Sequence, residues 1–274
     1  MKIKISNYKF LICFFLIFQI AILISLFFIK DLSSKVHSYN SNLDATYWLT
    51  PSFSVIQTGN IIASWGGIIL SVMGSAFPKK LYKDKSIIKI IPLVLFFNCV
   101  FFIFSSLITL LFSLINFNKM VVLPHYLILH SLLMFIGVII YLTFWFFIGF
   151  GLKLTFKYNF LSAIFCFVEQ VFEVCFIFLH SPQLEQYLPL GLSRELITKN
   201  FTFWDTSSWA SASNTVAYAN SSLILNANWQ VKNVNIIYIL IALIIYILIS
   251  YLFPVLKKGG FINVYRNSDR KITS

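Results

Sequence analysis

Residues 71–97, SVMGSAFPKKLYKDKSIIKIIPLVLFF, contain the end of one apolar stretch, a loop of five lysines against the single Asp84, and the start of the next apolar stretch. A bilayer core about 30 Å thick is crossed by about 20 apolar residues in a helix. The stretches on either side of this loop meet that length, so the loop reads as the link between two membrane spans. Lysine and arginine next to a span resist translocation, which places such a loop on the cytoplasmic side.

Working outward, the same alternation runs along the whole chain. Basic clusters occur at Lys2, Lys4 and Lys9, at Lys79, Lys80, Lys83, Lys85 and Lys89, at Lys153 and Lys157, and at Lys257, Lys258, Arg266, Arg270 and Lys271. They hold 15 of the 21 basic residues, offset only by Asp84 and Asp269. The loops between them carry six basic and five acidic residues, close to balance. Four basic segments at every second loop predict both termini in the cytoplasm and six crossings.

Six stretches supply those crossings, at about 10–29, 57–77, 90–115, 124–150, 159–180 and 236–256. The chain therefore reads as one all-α integral membrane domain over 1–274, a six-helix transmembrane bundle with an extracellular segment at 181–235. Composition agrees, with 59% hydrophobic and 11% charged residues, against about 25% charged in a soluble domain. The net charge of +12 follows from topology. A nucleic-acid surface needs a soluble basic face, whereas these lysines flank spans, where anionic lipid headgroups are the neighbours. A basic leader before an apolar run resembles a secretory signal, but the run is long and Phe27-Phe28-Ile29-Lys30 offers no small-residue cleavage pattern, so a retained helix is expected.

The outer segment carries Trp204, Trp209 and Trp229 with Tyr187, Phe203 and Tyr218, aromatics suited to a membrane interface. Its apolar part, Tyr187-Leu188-Pro189-Leu190-Gly191-Leu192, suits a short helix that either re-enters the membrane or lies on its surface. The four cysteines, Cys13, Cys99, Cys166 and Cys175, all fall inside spans and read as small apolar packing residues.

Two patterns inside the spans bear on function. Gly59, Ala63, Gly67, Ser71 and Ser75 recur every fourth residue, which puts five small side chains on one helix face and lets another helix approach closely. That face either packs within the chain or meets a second subunit. In the fifth stretch Glu169 and Glu173 stand one turn apart. Ionisable groups in hydrocarbon are costly and usually mark a pathway or a satisfied polar cluster. At about 1.5 Å per residue, Glu173 lies about 10 Å from the outer end, level with His130 at about 9 Å, and Glu169 about 16 Å, level with Asn98 near the midplane. Depth thus matches Glu173 with His130 and Glu169 with Asn98, and the four are the candidate transport path. No Walker A loop, nucleotide-binding glycine loop, His-Glu-x-x-His motif or Cys-x-x-Cys pair occurs, so no catalytic, cofactor-binding or metal residue is expected in this chain.

This arrangement resembles the permease subunit of an ABC-2 type transporter. The likeness lies in the sizeable first outer loop, the basic loop Pro78 to Ser86, the long outer segment containing Tyr187-Leu188-Pro189, and a last span ending in a basic tail. The resemblance implies a bacterial cell-membrane exporter of a hydrophobic or amphipathic substrate such as a peptide, lipid-like molecule or drug. ATP would be bound by a separate subunit that docks on Lys79, Lys80, Lys83, Asp84, Lys85 and Lys89. A second permease chain, identical or related, would complete the path. A motor-independent binding, immunity or sensor protein that works through its outer aromatic segment is the alternative.

Overall fold

The computed structural model describes residues 9–39, 54–78, 90–116, 125–156, 159–179, 187–198 and 236–251. Regular structure among the described residues is helical throughout, with no strand. The helices are α1 (Lys9–Tyr39), α2 (Ser54–Ala76), α3 (Ile91–Asn116), α4 (His125–Thr155), α5 (Asn159–Leu179), α6 (Pro189–Thr198) and α7 (Ile236–Tyr251). Three contain stretches long and apolar enough to cross a membrane: Lys9–Phe28, Ile91–Asn116 and Met134–Leu154. They give the chain the character of a helical membrane protein.

Observed boundaries follow the apolar stretches with two departures. The first helix runs on to Tyr39, past the expected end near 29, and α4 continues to Thr155, past 150. Pro92 occupies the first turn of α3 and Pro189 begins α6, positions where a missing backbone donor costs nothing within the helix.

Contacts between helices give their relative directions. Along α1 and α3, Phe15 meets Phe101, Phe27 meets Phe112, and Lys30 Nζ donates to Asn116 Oδ1 at 2.5 Å. Both sequences ascend together, so the two helices are parallel. Along α2 and α4, Gly59 lies against Met134, Gly67 against Tyr141, Gly74 against Phe146, and the Phe77 carbonyl accepts from Lys153 Nζ. These too are parallel. In contrast, α3 and α4 run antiparallel, since Asn98 meets Thr143 while Phe102 meets Phe135. The helices α2 and α5 are also antiparallel, with Cys166 beside Ser75 and Gln170 beside Ser71. Helices α1, α3 and α5 therefore point one way, and α2 and α4 the other.

One consequence concerns the charges. The C-terminal ends of α2, α4 and α7 meet, through Phe77 on Phe150 and Phe150 on Tyr251, and the N-terminus of α1 lies at that same end. The basic clusters adjoin these helix ends in the sequence, although Lys79, Lys80, Lys83, Asp84, Lys85 and Lys89 themselves lie outside the described residues.

The bundle is organised around α2 and α4. Large apolar side chains such as Phe27, Phe28, Phe96, Ile115, Phe160, Phe172 and Ile237 are exposed on α1, α3, α5 and α7, whereas among the described side chains of α2 no large hydrophobic is exposed. Outer faces of this kind suit lipid rather than water. Inside, Tyr141, Phe144, Trp145, Phe146 and Phe150 of α4 are fully buried. Several hydroxyl groups inside the bundle are satisfied locally: Ser75, Thr109 and Ser113 each donate to the carbonyl four residues earlier. Polar pairs then join neighbouring helices. Trp65 Nε1 donates to Ser25 Oγ at 2.9 Å, Thr58 Oγ1 to Thr109 Oγ1 at 2.8 Å, and Ser105 Oγ to Gln19 Oε1 at 3.0 Å.

Candidate functional site

The small-residue stripe on α2 is used inside the chain, against α4. At Gly74 an added Cβ would overlap the Phe146 carbonyl, and at Gly149 of α4 it would overlap the Ser71 carbonyl. Here two helix backbones touch, which only small residues permit. Ser75 Oγ reaches across to the Gly149 carbonyl at 3.3 Å. At Gly67 the obstacles are side chains: an added Cβ would lie 2.6 Å from the Tyr141 hydroxyl, 2.8 Å from Gln170 Oε1 and 2.9 Å from Trp145 Cδ1. Gly59, Ala63, Gly67, Ser71 and Ser75 thus form a seam in which α2 meets α4, with polar groups gathered around Gly67.

Into this seam α6 is inserted. Pro189 sets its first helical residue, and Leu190, Leu192, Ser193, Arg194, Leu196 and Ile197 are all buried. The short helix expected over this stretch is present and packs against the other helices. Trp145 Nε1 donates to Ser193 Oγ at 3.1 Å. The Leu190 amide donates to both carboxylate oxygens of Glu173, at 2.9 and 3.2 Å. A carboxylate at the first turn of a helix meets unsatisfied N–H groups and the positive end of the helix dipole. Glu173 on α5 is therefore the N-terminal cap of α6.

Arg194 closes the other side of the cluster. It is 4% exposed, and its Nε donates to the Ala63 carbonyl of α2 at 2.7 Å. Its guanidinium also hydrogen-bonds with the Tyr141 hydroxyl and attracts the Glu173 carboxylate. A buried charge that is paired and hydrogen-bonded avoids most of the penalty of an isolated one. Gln170 Nε2 donates to Ser71 Oγ at 3.3 Å, and the Glu169 and Glu173 carboxyl groups stand within hydrogen-bonding reach of each other. Four helices, α2, α4, α5 and α6, thus place acid, base, amide and hydroxyl groups together at the middle of an apolar bundle.

Sequence expectations are redistributed by this geometry. Glu169 and Glu173 are central to the cluster, but Asn98 is elsewhere: its Nδ2 donates to Thr143 Oγ1 of α4 at 2.9 Å. The expected match of Glu169 with Asn98 is not made, because equal depth leaves open the direction a side chain points around the helix axis. His130 lies in the first turns of α4, and its match with Glu173 falls outside the described side chains. Arg194, Tyr141, Trp145 and Ser193 belong to the site without having been singled out. Arg194 and Glu195, a charged pair between the apolar residues Leu190 to Leu192 and Leu196 to Ile197, are the signal in the sequence that points to it. Among the described residues no group of three histidine, cysteine, aspartate or glutamate side chains forms a metal-binding set.

Comparison with protein-family models, with curated proteins and with solved structures gives no match to this chain.

Proposed function

We propose that the chain is the permease subunit of an ATP-driven exporter of the ABC-2 type. In this reading it crosses the cell membrane six times, through α1 to α5 and α7, with both termini cytoplasmic and α6 dipping into the bundle from the outer side. The observation that carries the proposal is the cluster of buried Glu173, Gln170, Arg194 and Tyr141 with half-buried Glu169, polar chemistry at the depth where hydrocarbon makes it costly. Such groups mark a passage when they lie between helices able to shift, and a ten-residue helix held mainly by side-chain contacts is an element of that kind.

Support comes also from the helix ends that adjoin the basic clusters, which gather at one end of the bundle, as positive-inside orientation requires. Energy would come from a separate ATPase subunit docked on the segment Lys79 to Lys89, and a second permease chain would complete the path. The cargo is hydrophobic or amphipathic, since the cluster is small beside the apolar surface around it.

Affinity purification of the intact chain in mild detergent tests the reading. A soluble ATPase recovered in stoichiometric amount, and lost when Lys79, Lys80, Lys83 and Lys85 are replaced together by glutamine, is the expected result. Recovery of no ATPase overturns it and favours a membrane binding or immunity protein that works without a motor.

A further inference from the structure

In an α-helix the amide of residue 67 donates to the carbonyl of residue 63. On α2 this pair of groups has outside partners. The Gly67 amide donates to the Tyr141 hydroxyl at 3.1 Å, and that hydroxyl lies 3.4 Å from the Ala63 carbonyl, to which it donates. Arg194 Nε donates to the same carbonyl at 2.7 Å. One hydroxyl from α4 therefore bridges the two ends of a single rung of the α2 ladder, and a guanidinium from α6 draws on one of them. Side chains that insert into the ladder in this manner, and glycine-rich turns, are the recognised origins of helix bends.

What lies on either side of the rung differs. Below it, Gly74 and Gly149 bring the α2 and α4 backbones into contact with the Phe146 and Ser71 carbonyls, so this half of α2 has no freedom to move on α4. Above it, Gly59 rests on the Met134 side chain, which is unbranched and readily changes rotamer. The turn itself contains Gly66 and Gly67, the least helix-favouring residues after proline.

We propose that the Ala63–Gly67 turn is a hinge in α2, where the Tyr141 hydroxyl and the Arg194 guanidinium compete with the helix's own hydrogen bond. Withdrawal of α6 removes Arg194 from the Ala63 carbonyl. The Gly67 amide then recovers its full bond to that carbonyl, and the upper half of α2 swings on the fixed lower half. Arg194 and Tyr141 are positioning residues in this scheme. The inference deepens the transport reading by linking the inserted helix to α2, whose C-terminus leads into the lysine loop.

Gly67 can be observed directly in the full chain. Only Gly67 and Gly260 follow another glycine, so labelling glycine with 15N and carbonyl 13C leaves two signals in a spectrum that correlates each amide with the preceding carbonyl. Hydrogen exchange of the Gly67 amide is measured in detergent for the wild type, for Tyr141→Phe and for Arg194→Lys. Tyr141→Phe keeps the ring and removes only the hydroxyl, and Arg194→Lys keeps the buried charge. Because Tyr141→Phe removes the hydroxyl and Arg194→Lys removes the Nε–H that meets the Ala63 carbonyl, each slows exchange about tenfold, the effect of one recovered hydrogen bond. Unchanged or faster exchange in either variant means that these groups simply brace the helix, and overturns the hinge. The measurement uses neither ATPase nor cargo, so it fails separately from the transport reading.

Discussion

Both carboxylate oxygens of Glu173 lie on the backbone amide of Leu190, at 2.9 and 3.2 Å, so a side chain from α5 holds the start of α6. The cap is buried, and a buried amide left without its acceptor costs about 1 to 3 kcal/mol. Glu173→Ala is therefore expected to release α6 from the bundle. A Leu192→Cys reporter in a chain cleared of native cysteines reads this directly, since Leu192 is 1% exposed. Maleimide labelling of that cysteine should rise about tenfold or more when Glu173 is truncated. Labelling as slow as in the parent would show that apolar packing alone retains α6.

Among the described residues Glu169 caps no helix, and its described partner is the Glu173 carboxyl. Glu169→Gln keeps a hydrogen-bonding group of the same size, so the thermal unfolding midpoint should stay within about 2 °C of the wild type, the shift expected of about 0.5 kcal/mol in a chain of this size. Export should fall nonetheless, because an ionisable group has been removed from the proposed path. The two glutamates thus separate, one affecting fold and path together and the other the path alone. Equal loss of folded protein in both variants would refute the separation.

The seam between α2 and α4 predicts a contrast among three glycines. At Gly74 and Gly149 an added methyl meets a backbone carbonyl of the facing helix, which cannot turn aside. At Gly151 it meets Ser250 Oγ, the end of a side chain with other rotamers, held by one bond to the Ile247 carbonyl. Gly74→Ala and Gly149→Ala should each destabilise the chain by about 1 to 3 kcal/mol through overpacking. Gly151→Ala should cost less, about 0.5 to 1.5 kcal/mol, the contribution of a single hydrogen bond. Unfolding in detergent that ranks Gly151→Ala with the other two would contradict the backbone contact.

Several of these features were legible in the sequence, for physical reasons that also explain what was not. An apolar run of about 20 residues specifies a helix in lipid because every backbone group must be satisfied within it, and the helices accordingly lie where the runs lie. The four-residue repeat from Gly59 to Ser75 announced a close helix contact, since nothing but small side chains allows one. Which helix it contacts was open, and α4 in the same chain is the answer. The extension of α1 to Tyr39 is not marked by hydropathy, because backbone hydrogen bonding carries a helix past the end of its apolar run. Arg194 carries no hydropathy signal of its burial, because a charge between two apolar runs normally faces water. Only the insertion of α6 gives it the Ala63 carbonyl, Tyr141 and Glu173 as partners.

Asn98 offers the most direct check on how position around a helix axis decides partnership. It shares a level with Glu169 by sequence depth, yet its Nδ2 donates to Thr143 Oγ1 at 2.9 Å. Double-mutant cycles distinguish the two assignments. For Asn98→Ala with Thr143→Val, both groups of one hydrogen bond are removed, and the coupling energy should be about 0.6 kcal/mol, reaching about 1.7 at most, as found for polar pairs between membrane helices. For Asn98→Ala with Glu169→Gln, the effects should simply add, because groups without a shared partner do not couple. Chain stability measured by unfolding in detergent supplies all the corners of both cycles. A coupling that appears in the Glu169 cycle and vanishes in the Thr143 cycle would place Asn98 in the central cluster after all, and the path would then extend across to α3.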